Sequence, residues 1–441
     1  MNETTEQDKH PRAAARMAAA AAAIEWYEYF TFGNASALIF ASVFFGPLGG
    51  MGGVLASFAV FAVGFGARPI GGIVAGHLGD RKGRKPMLVW SLVTIGVGTA
   101  AIGLLPTYHT AGIIAPALLV LLRIVQGLAV GAMYGASALL ATEHAPKGRI
   151  GIFGSAVTLG VPIGLITANL VFMGVSSLVG ADGFAAWAWR IPFLLGAVAV
   201  LLAWRVHVTV EETPEFQRAA AARASGGTGS PVATLIKTDL GTVLLAGLSY
   251  VVVTAVYYIA VAGILTYAVK QLDLRMNTIL LLVTGASSVA LLTLPFFAWL
   301  SDRFGRMRIY TIGAVATLMW AIPMFLLIDT GTPLGVFLGI GGAIIVINIM
   351  SGPQVPLFKE LFAADVRYSG VSLAYQIASI AGGAVAPFIM VLMYDTFETS
   401  MAISAYIMML AVISLACIAG LRGRYARRIA AAETTSVEMV I

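Results

Sequence analysis

One polar stretch lies between two apolar runs, and it indicates the fold of this chain because it occurs twice. The first copy is Gly76-His-Leu-Gly79-Asp80-Arg81-Lys-Gly83-Arg84-Lys85. The second copy is Leu300-Ser-Asp302-Arg303-Phe-Gly305-Arg306, which begins 222 positions after the leucine of the first. This offset is about half of the 441 residues, so the sequence predicts two related halves.

The composition around these copies is that of a membrane protein. Hydrophobic residues make up 59% of the chain, charged residues 11%, and the mean hydropathy is +0.90. A soluble domain carries about 25% charged residues. This composition therefore argues against a cytosolic enzyme, a nucleic-acid-binding protein and a disordered scaffold.

Twelve apolar runs are long enough to cross a bilayer, which takes about 20 residues. Because they do not alternate between apolar and polar residues, they predict helices and not a barrel. The predicted spans are 18–45, 53–76, 86–106, 115–142, 150–174, 190–210, 239–268, 276–300, 308–328, 334–358, 371–394 and 400–421.

The basic residues predict the orientation. With the N-terminus inside, 23 of the 27 Lys and Arg residues fall in cytoplasmic segments and three outside. Such an excess is typical of cytoplasmic loops. It also explains the net charge of +6 without an acidic partner or nucleic acid. We expect a multi-pass protein of the plasma (inner) membrane with both termini in the cytoplasm.

The fold class is therefore an all-α membrane protein of 12 transmembrane helices, in two six-helix bundles related by pseudo-two-fold symmetry. Ser225-Gly-Gly-Thr-Gly-Ser230 has the composition of a flexible linker and lies near the middle of the chain. The predicted divisions are a cytoplasmic tail 1–17, a first bundle 18–210, a cytoplasmic linker 211–238, a second bundle 239–421 and a basic cytoplasmic tail 422–441.

The repeated stretch resembles the G-x-L-x-D-R-x-G-R-K loop motif of the major facilitator superfamily. Further segments resemble its metabolite:H⁺ symporter branch, from about residue 20 to 420. They are Glu25-Trp-Tyr-Glu28-Tyr29-Phe, Arg68-Pro-Ile-Gly-Gly72, Trp189-Arg190-Ile-Pro-Phe193, Glu211-Glu-Thr-Pro214 and Arg367-Tyr-Ser-Gly-Val-Ser372. The resemblance implies proton-coupled transport of shikimate, 2-oxoglutarate, citrate or another carboxylate, or of proline or betaine.

The chain departs from this branch at two positions. Span four usually reads G-G-E-Y-G-G, and here it reads Gly131-Ala-Met133-Tyr134-Gly-Ala136, without the glutamate. Glu28 stands where the branch usually has aspartate. With Met133, span four carries one positive charge and no negative charge, which favours an anionic substrate.

Charged residues inside spans are the first functional candidates, because they are costly there. Glu25 and Glu28 share one face of span one at i,i+3. Two neighbouring carboxylates in a low dielectric do not both ionise easily, which suits one of them to carry a proton. We expect Glu28 to be the proton carrier, together with Glu25. Alternatively, Glu25 reaches the cytoplasmic interface or pairs with a loop arginine.

Arg123 is expected to be the one Lys or Arg well inside a span. Arg123-x-x-Gln126-Gly resembles the superfamily's R-x-x-Q-G motif, and both side chains share one helix face. A guanidinium offers fixed donors to a carboxylate. We expect Arg123 and Gln126 to bind a substrate carboxylate or to control a carboxyl proton; a purely structural pair is the alternative.

Further candidates are polar. Tyr29 and Tyr134 flank the charged faces, and Tyr257, Asn348 and Gln376 are expected to contact substrate from the second half. Tyr250, Thr254 and Tyr257 form one stripe at i,i+4,i+7. Hydrogen bonds between helices or an interfacial aromatic belt would explain these residues equally well.

The loop residues are expected to have a gating role. Gly79 and Gly83 would permit a tight turn after Gly76, and the charges of the motif would pair across helix ends. The resemblance implies that this loop stabilises the outward-facing state. The set is Gly76, Gly79, Asp80, Arg81, Gly83 and Arg84, with Asp302, Arg303 and Arg306 in the second copy. Arg190 is a candidate outer gate that would pair with Asp182 or another outer carboxylate.

The sequence thus predicts a proton-driven symporter that imports a small organic acid, as a monomer and without enzymatic activity. No cofactor or metal site is expected, since there is one cysteine, no spaced histidine cluster and no phosphate-binding loop. An osmolyte symporter for proline or betaine is the first alternative, since aromatic rings bind quaternary ammonium groups. A drug exporter, favoured only by Gly160-Val-Pro-Ile-Gly164 in span five, and a membrane sensor are weaker alternatives.

Overall fold

The computed structural model describes residues 9–146, 148–213, 216–217 and 231–438, and these residues are helical without strands. Twelve long helices are labelled here. They are α1 Lys9–Leu38, α2 Gly50–Lys82, α3 Arg84–Leu104, α4 Ile114–Glu143, α5 Ile150–Gly183, α6 184–209, α7 240–271, α8 276–304, α9 Arg306–Ile328, α10 Pro333–Leu361, α11 Arg367–Phe397 and α12 Ser400–Glu438. Short helices occupy Phe40–Phe44, Gly46–Leu48, Tyr108–Ala111 and Pro231–Thr238.

Within the described part of the chain, the helices α2 to α12 are the eleven that are long and apolar enough to cross a membrane. Helix α1 falls short because it begins with charged residues and carries Glu25 and Glu28. Large side chains that face outward are apolar, such as Leu201, Leu292 and Phe388, each more than 60% exposed. This surface fits lipid, and the all-α membrane fold predicted from the sequence is confirmed.

Helix α1 lies lengthwise against α5 although it is the less apolar helix. Small residues make the approach possible. A Cβ added at Gly164 would lie 2.6 Å from the Cβ of Trp26, and one at Gly160 would meet Ala22. Glycine at such positions lets membrane helices pack closely. The charged face of α1 is thereby held at the centre of the molecule.

Two more helices of the first half, α2 and α4, approach through glycines on both sides. A Cβ on Gly127 would lie 2.8 Å from Ala67, and a Cβ on Gly131 would meet the carbonyl oxygen of Arg68. Gly64 in turn leaves room for the side chain of Arg123, whose Nε would be 2.6 Å from an added Cβ. This contact positions the buried charges described below.

The helices extend beyond the predicted spans at both ends of the chain. Helix α1 begins at Lys9, inside the predicted tail 1–17, and α12 continues to Glu438 through the predicted tail 422–441. Alanine-rich segments at both places favour the continued helix. Of the predicted linker 211–238, residues 214–215 and 218–230, including Ser225–Ser230, lie outside the described residues.

Candidate functional site

A cavity of about 70 Å³ lies between the two halves. Its wall is formed by α1, α4 and α5 of the first half and by α7, α8, α10 and α11 of the second. Aromatic and hydroxyl side chains dominate it. Among the described residues that line it, Glu25 is the one acidic residue, and none is Lys, Arg or His.

Glu25 contributes the only carboxylate on the described cavity wall. It is 4% exposed, and within the described part of the chain it has neither an ion pair nor a hydrogen bond. The charges of Arg68 and Glu28 lie close enough to act on it. Glu25 therefore does not form a direct pair with a loop arginine, which was one of the alternatives.

Glu28 and Arg123 form a buried ion pair in which the guanidinium Nη1 donates to Oε1. Their side chains are 2% and 3% exposed. Arg123 also lies over the rings of Phe32 and Phe61, at 4.2 and 5.5 Å from the ring centroids. Neither member of the pair lines the cavity. The pair therefore lies behind the cavity wall, one helical turn from Glu25.

Gln126 and Tyr29, two other predicted binding residues, also lie behind the wall. Gln126 donates through Nε2 to the hydroxyl of Thr99 on α3, at 2.9 Å. Tyr29 belongs to an aromatic cluster with Trp26, Phe65 and Tyr258. A substrate-binding role for Gln126 and Tyr29 stays a prediction, and the structure gives both residues partners within the protein.

The expectation that Arg123 is the only Lys or Arg well inside a span is wrong. Arg68 lies within α2 and is 3% exposed. Its guanidinium is 4.4 Å from the ring centroid of Phe65 and 5.2 Å from that of Tyr29. The position of residue 68 inside the predicted span 53–76 was a signal for this burial. A second positive charge thus lies near Glu25.

The second half contributes the predicted residues Tyr257 and Asn348 to the cavity wall, together with Tyr250 and Thr254 of the same stripe. Tyr250 donates to the hydroxyl of Ser351 at 2.9 Å, and Asn348 donates to that of Thr293 at 2.9 Å. Gln376 is 2% exposed and lies outside the wall, with its Cγ 3.4 Å from a Cβ added at Gly72.

Tyr134 and Tyr375 form a stacked pair across the two halves. Their ring centroids are 3.5 Å apart and their planes differ by 6°. Tyr134 also donates to Oε1 of Gln354 on α10 at 2.6 Å. Both rings line the cavity near the helix ends that carry the loop charges. The stack therefore joins the two halves toward that end of the molecule, which we call the basic end (the segments 81–85 and 303–308).

At the basic end the first motif copy contacts the start of α11. The backbone amides of Tyr368 and Ser369 donate to the Asp80 carboxylate, each at 3.2 Å, and the Ser369 hydroxyl donates at 2.7 Å. An acidic group is stabilised at a helix N-terminus, where free amides and the helix dipole favour negative charge. Arg84 bridges Asp80 and Glu143, at 3.8 and 3.5 Å.

The second motif copy makes the equivalent contact in the opposite direction. Asp302 accepts from the amides of Gly151 and Ile152, at 2.8 and 3.3 Å, at the start of α5. Arg306 pairs with Asp302 and with Glu360. Each half therefore places one carboxylate on a helix N-terminus of the other, which closes the two halves together at the basic end.

Of the two glycines expected to permit a tight turn, Gly83 does so and Gly79 does not. Gly79 lies inside α2 and not in a turn, and an added Cβ would be 2.6 Å from the ring of Tyr368. Gly76 similarly lies against Ser369, at 2.8 Å. Gly83, with φ of 109°, does form the turn between α2 and α3. Gly79 and Gly76 are therefore needed for contact between the halves.

The remaining arginines of the predicted gating set do not line the cavity. Arg81 is exposed, and Arg303 lies over Trp299 and Phe304 at 5.9 and 5.8 Å. Arg190 lies over the Trp189 ring at 4.4 Å. In the described part of the chain Arg190 has no ion pair with Asp182, so the expected pairing is wrong.

The halves are also joined on the other side of the cavity. Asn34 on α1 donates to Asn169 on α5, and Asn169 donates to the hydroxyl of Thr284 on α8, each at 3.0 Å. These three residues were not among the predicted candidates. Asparagines inside apolar runs were the available signal, because a buried amide needs a partner.

The chain matches the Major Facilitator Superfamily over residues 18–387. It is 38% identical to the shikimate transporter of Escherichia coli (strain K12), over 86% of each chain. It is 30% identical to the glycine betaine/proline/ectoine/pipecolic acid transporter OusA of Dickeya dadantii (strain 3937), over 92% of this chain and 82% of that protein. Its fold is similar to that of the proton:xylose symporter XylE bound to 6-bromo-6-deoxy-D-glucose, with a TM-score of 0.77 at 16% identity, covering 94% of this chain and 96% of that one.

The chain belongs to the major facilitator superfamily, and it is a transporter and not an enzyme. Its relatives place it in the metabolite:H⁺ symporter family predicted from the motifs. The expected two-bundle helical membrane fold is confirmed. The roles of the individual site residues and the bundle boundaries stay predictions.

Proposed function

We propose that this protein imports a small organic acid of the shikimate kind together with a proton. The two halves would rock around the central cavity as a monomer, with the basic end and both termini in the cytoplasm. The observation that supports this most is the cavity wall, on which Glu25 is the one acid and, among the described lining residues, no cation lies opposite it.

The wall itself supplies a reason for coupling. A substrate carboxylate that enters the cavity meets the carboxylate of Glu25 in a low dielectric, where like charges repel strongly. A proton on Glu25 removes this repulsion and makes the residue a hydrogen-bond donor. A proton on Glu25 therefore raises the affinity of the cavity for the anion, and the bound anion raises the affinity of Glu25 for the proton by the same factor.

The Glu28–Arg123 pair would set the charge around this proton site. Its carboxylate is already held by a guanidinium, whereas Glu25 has no such partner. We therefore propose Glu25 as the exchanging acid and Glu28 as the counter-charge of Arg123. Of the two roles expected for Arg123, control of a carboxyl proton fits its position behind the wall better than direct substrate binding.

Transport into proteoliposomes under an imposed pH gradient tests the proposal. The probes are labelled shikimate, 2-oxoglutarate, citrate, proline and betaine. Uptake of an acid should depend on the gradient and stop with a protonophore. Glu25→Gln should abolish gradient-driven accumulation and retain exchange of labelled for unlabelled substrate, because a neutral residue still binds but carries no proton. The exposed Glu211→Gln is the matched control and should transport as the wild type does.

Two results would refute the proposal. Gradient-driven accumulation that persists in Glu25→Gln would exclude this residue as the proton site. Failure of the wild type to take up any acid would exclude the organic-acid function itself.

A second candidate is symport of betaine or proline. The rings of Trp26, Tyr257 and Tyr258 face the cavity, and a ring face attracts a quaternary ammonium group. Glu25 would then act as a counter-ion for the ammonium group. Uptake of betaine that shikimate does not compete with would favour this function.

A further inference from the structure

The hydroxyl groups on the cavity wall fall into two classes. Five of them donate hydrogen bonds within the protein. Examples are Tyr250 to Ser351 at 2.9 Å and Thr254 to the carbonyl oxygen of Ala378 at 2.7 Å. In contrast, three buried hydroxyls, those of Ser287, Tyr257 and Tyr258, have no hydrogen-bond partner among the described residues. The Tyr258 ring packs against Tyr29 and Phe65 behind the wall.

Ser287 is the most informative of the three. Hydroxyls inside membrane helices usually donate to the carbonyl of the preceding turn. On the same helix, Thr284, Ser288 and Thr293 all do so, at 2.7, 2.9 and 3.0 Å. Ser287 does not, although it is 1% exposed. Ser287 lines the cavity, and its Oγ has no partner among the described residues.

A buried hydroxyl without a partner lowers stability, because it has lost its hydrogen bonds to water. A ligand that supplies a donor or an acceptor removes this cost when it binds. All three unpartnered groups lie on the second half, on α7 and α8, whereas Glu25 lies on α1 of the first half. A substrate whose carboxyl group lies at Glu25 would thus present its far end to Ser287 and Tyr257.

We infer that Ser287 and Tyr257 are specificity-determining residues that hydrogen-bond hydroxyl groups of the substrate. The transported acid therefore carries hydroxyl groups on its carbon skeleton in addition to its carboxyl group. A betaine has no hydroxyl group, so these two residues could pair only with its carboxylate. This inference rests on the proposed function, since it assumes that the cavity binds the transported acid.

A pair of probes that differ only in hydroxyl groups tests it. Shikimate and cyclohex-1-ene-1-carboxylate share the ring and the carboxylate, and the second lacks the three hydroxyls. Ser287→Ala should raise the KM for shikimate about three- to tenfold, the effect of one hydrogen bond, and leave the KM or inhibition constant of the deoxy acid unchanged. Tyr257→Phe should have the same effect. Ser288→Ala should change neither constant, because the Ser288 hydroxyl donates to a carbonyl of its own helix.

Unchanged binding of the deoxy acid also shows that each variant is folded. An equal loss for both acids would assign these hydroxyls to the carboxylate and overturn the inference. An unchanged shikimate KM in both variants would overturn it as well. Gradient-driven uptake of betaine but of no hydroxylated acid would overturn it while leaving proton-coupled transport intact. A wild type that transports none of the probes would remove the proposed function itself.

Discussion

The buried pair Glu28–Arg123 allows a quantitative prediction about stability and transport. Both side chains are almost fully enclosed. Arg123→Met removes the cation and leaves a buried carboxylate without its partner, which costs about 3–5 kcal/mol. Glu28→Gln leaves the guanidinium in the same position. The double variant removes both charges, so it should be more stable than the sum of the single losses implies, by about 1–3 kcal/mol.

Denaturant unfolding in detergent micelles measures this coupling energy, and proteoliposome uptake measures the function. The matched control is the pair Arg428–Asp239, with side chains 38% and 18% exposed and an N–O distance of 2.5 Å. An exposed pair contributes about 0–1 kcal/mol, so its cycle should give little coupling. The double variant of the buried pair should be folded and yet fail to accumulate substrate under a pH gradient.

Strict additivity of the two single losses in the buried pair would refute the reasoning about its energetics. Equal coupling in the buried and exposed pairs would do the same. A stable double variant with normal gradient-driven accumulation would show that the pair is structural only.

Three further predictions concern helix contacts and the basic end. Gly131→Ala should lower stability by about 1–3 kcal/mol, because the added methyl group meets the backbone of α2. Gly66→Ala is the control and should not, because a Cβ at Gly66 has no neighbour within 4 Å. Thermal unfolding in detergent compares the two variants. Glu212→Ala removes the carboxylate that accepts from the first two amides of α3, at 3.1 and 3.2 Å. It should lower the free energy of unfolding by about 0.5–2 kcal/mol in the same assay, whereas the control Glu211→Ala should not. Asp302→Asn should weaken closure and increase hydrogen exchange at the start of α5; unchanged exchange there would contradict the contact between the halves.

Much of the fold could be predicted because its determinants are local in sequence. Apolar runs of about 20 residues define spans whatever their neighbours are. The two motif copies indicated two related halves, and in the structure Asp80 and Asp302 make equivalent contacts. The spacing of Glu25 and Glu28 correctly indicated that the acids lie one turn apart on α1.

The environment of each charge could not be predicted in the same way. Glu28 and Arg123 are 95 positions apart, and no pattern in either helix states which face meets the other. The position of Arg68 inside the predicted span 53–76 does not indicate which rings it contacts, and it lies over Phe65. Helix rotation and depth decide these contacts, and both depend on how all helices pack together.

The sequence by itself thus determined the class of protein, the number of halves and the helix that carries the acids, since hydropathy and repeated motifs act over short stretches. Only the tertiary structure decided that Glu25 faces the cavity while Glu28 is paired behind it. It likewise separated Ser287 from Ser288, two neighbouring serines that the sequence does not distinguish. Their positions differ by about 100° around the helix, so one residue lines the cavity and the other donates to its own backbone.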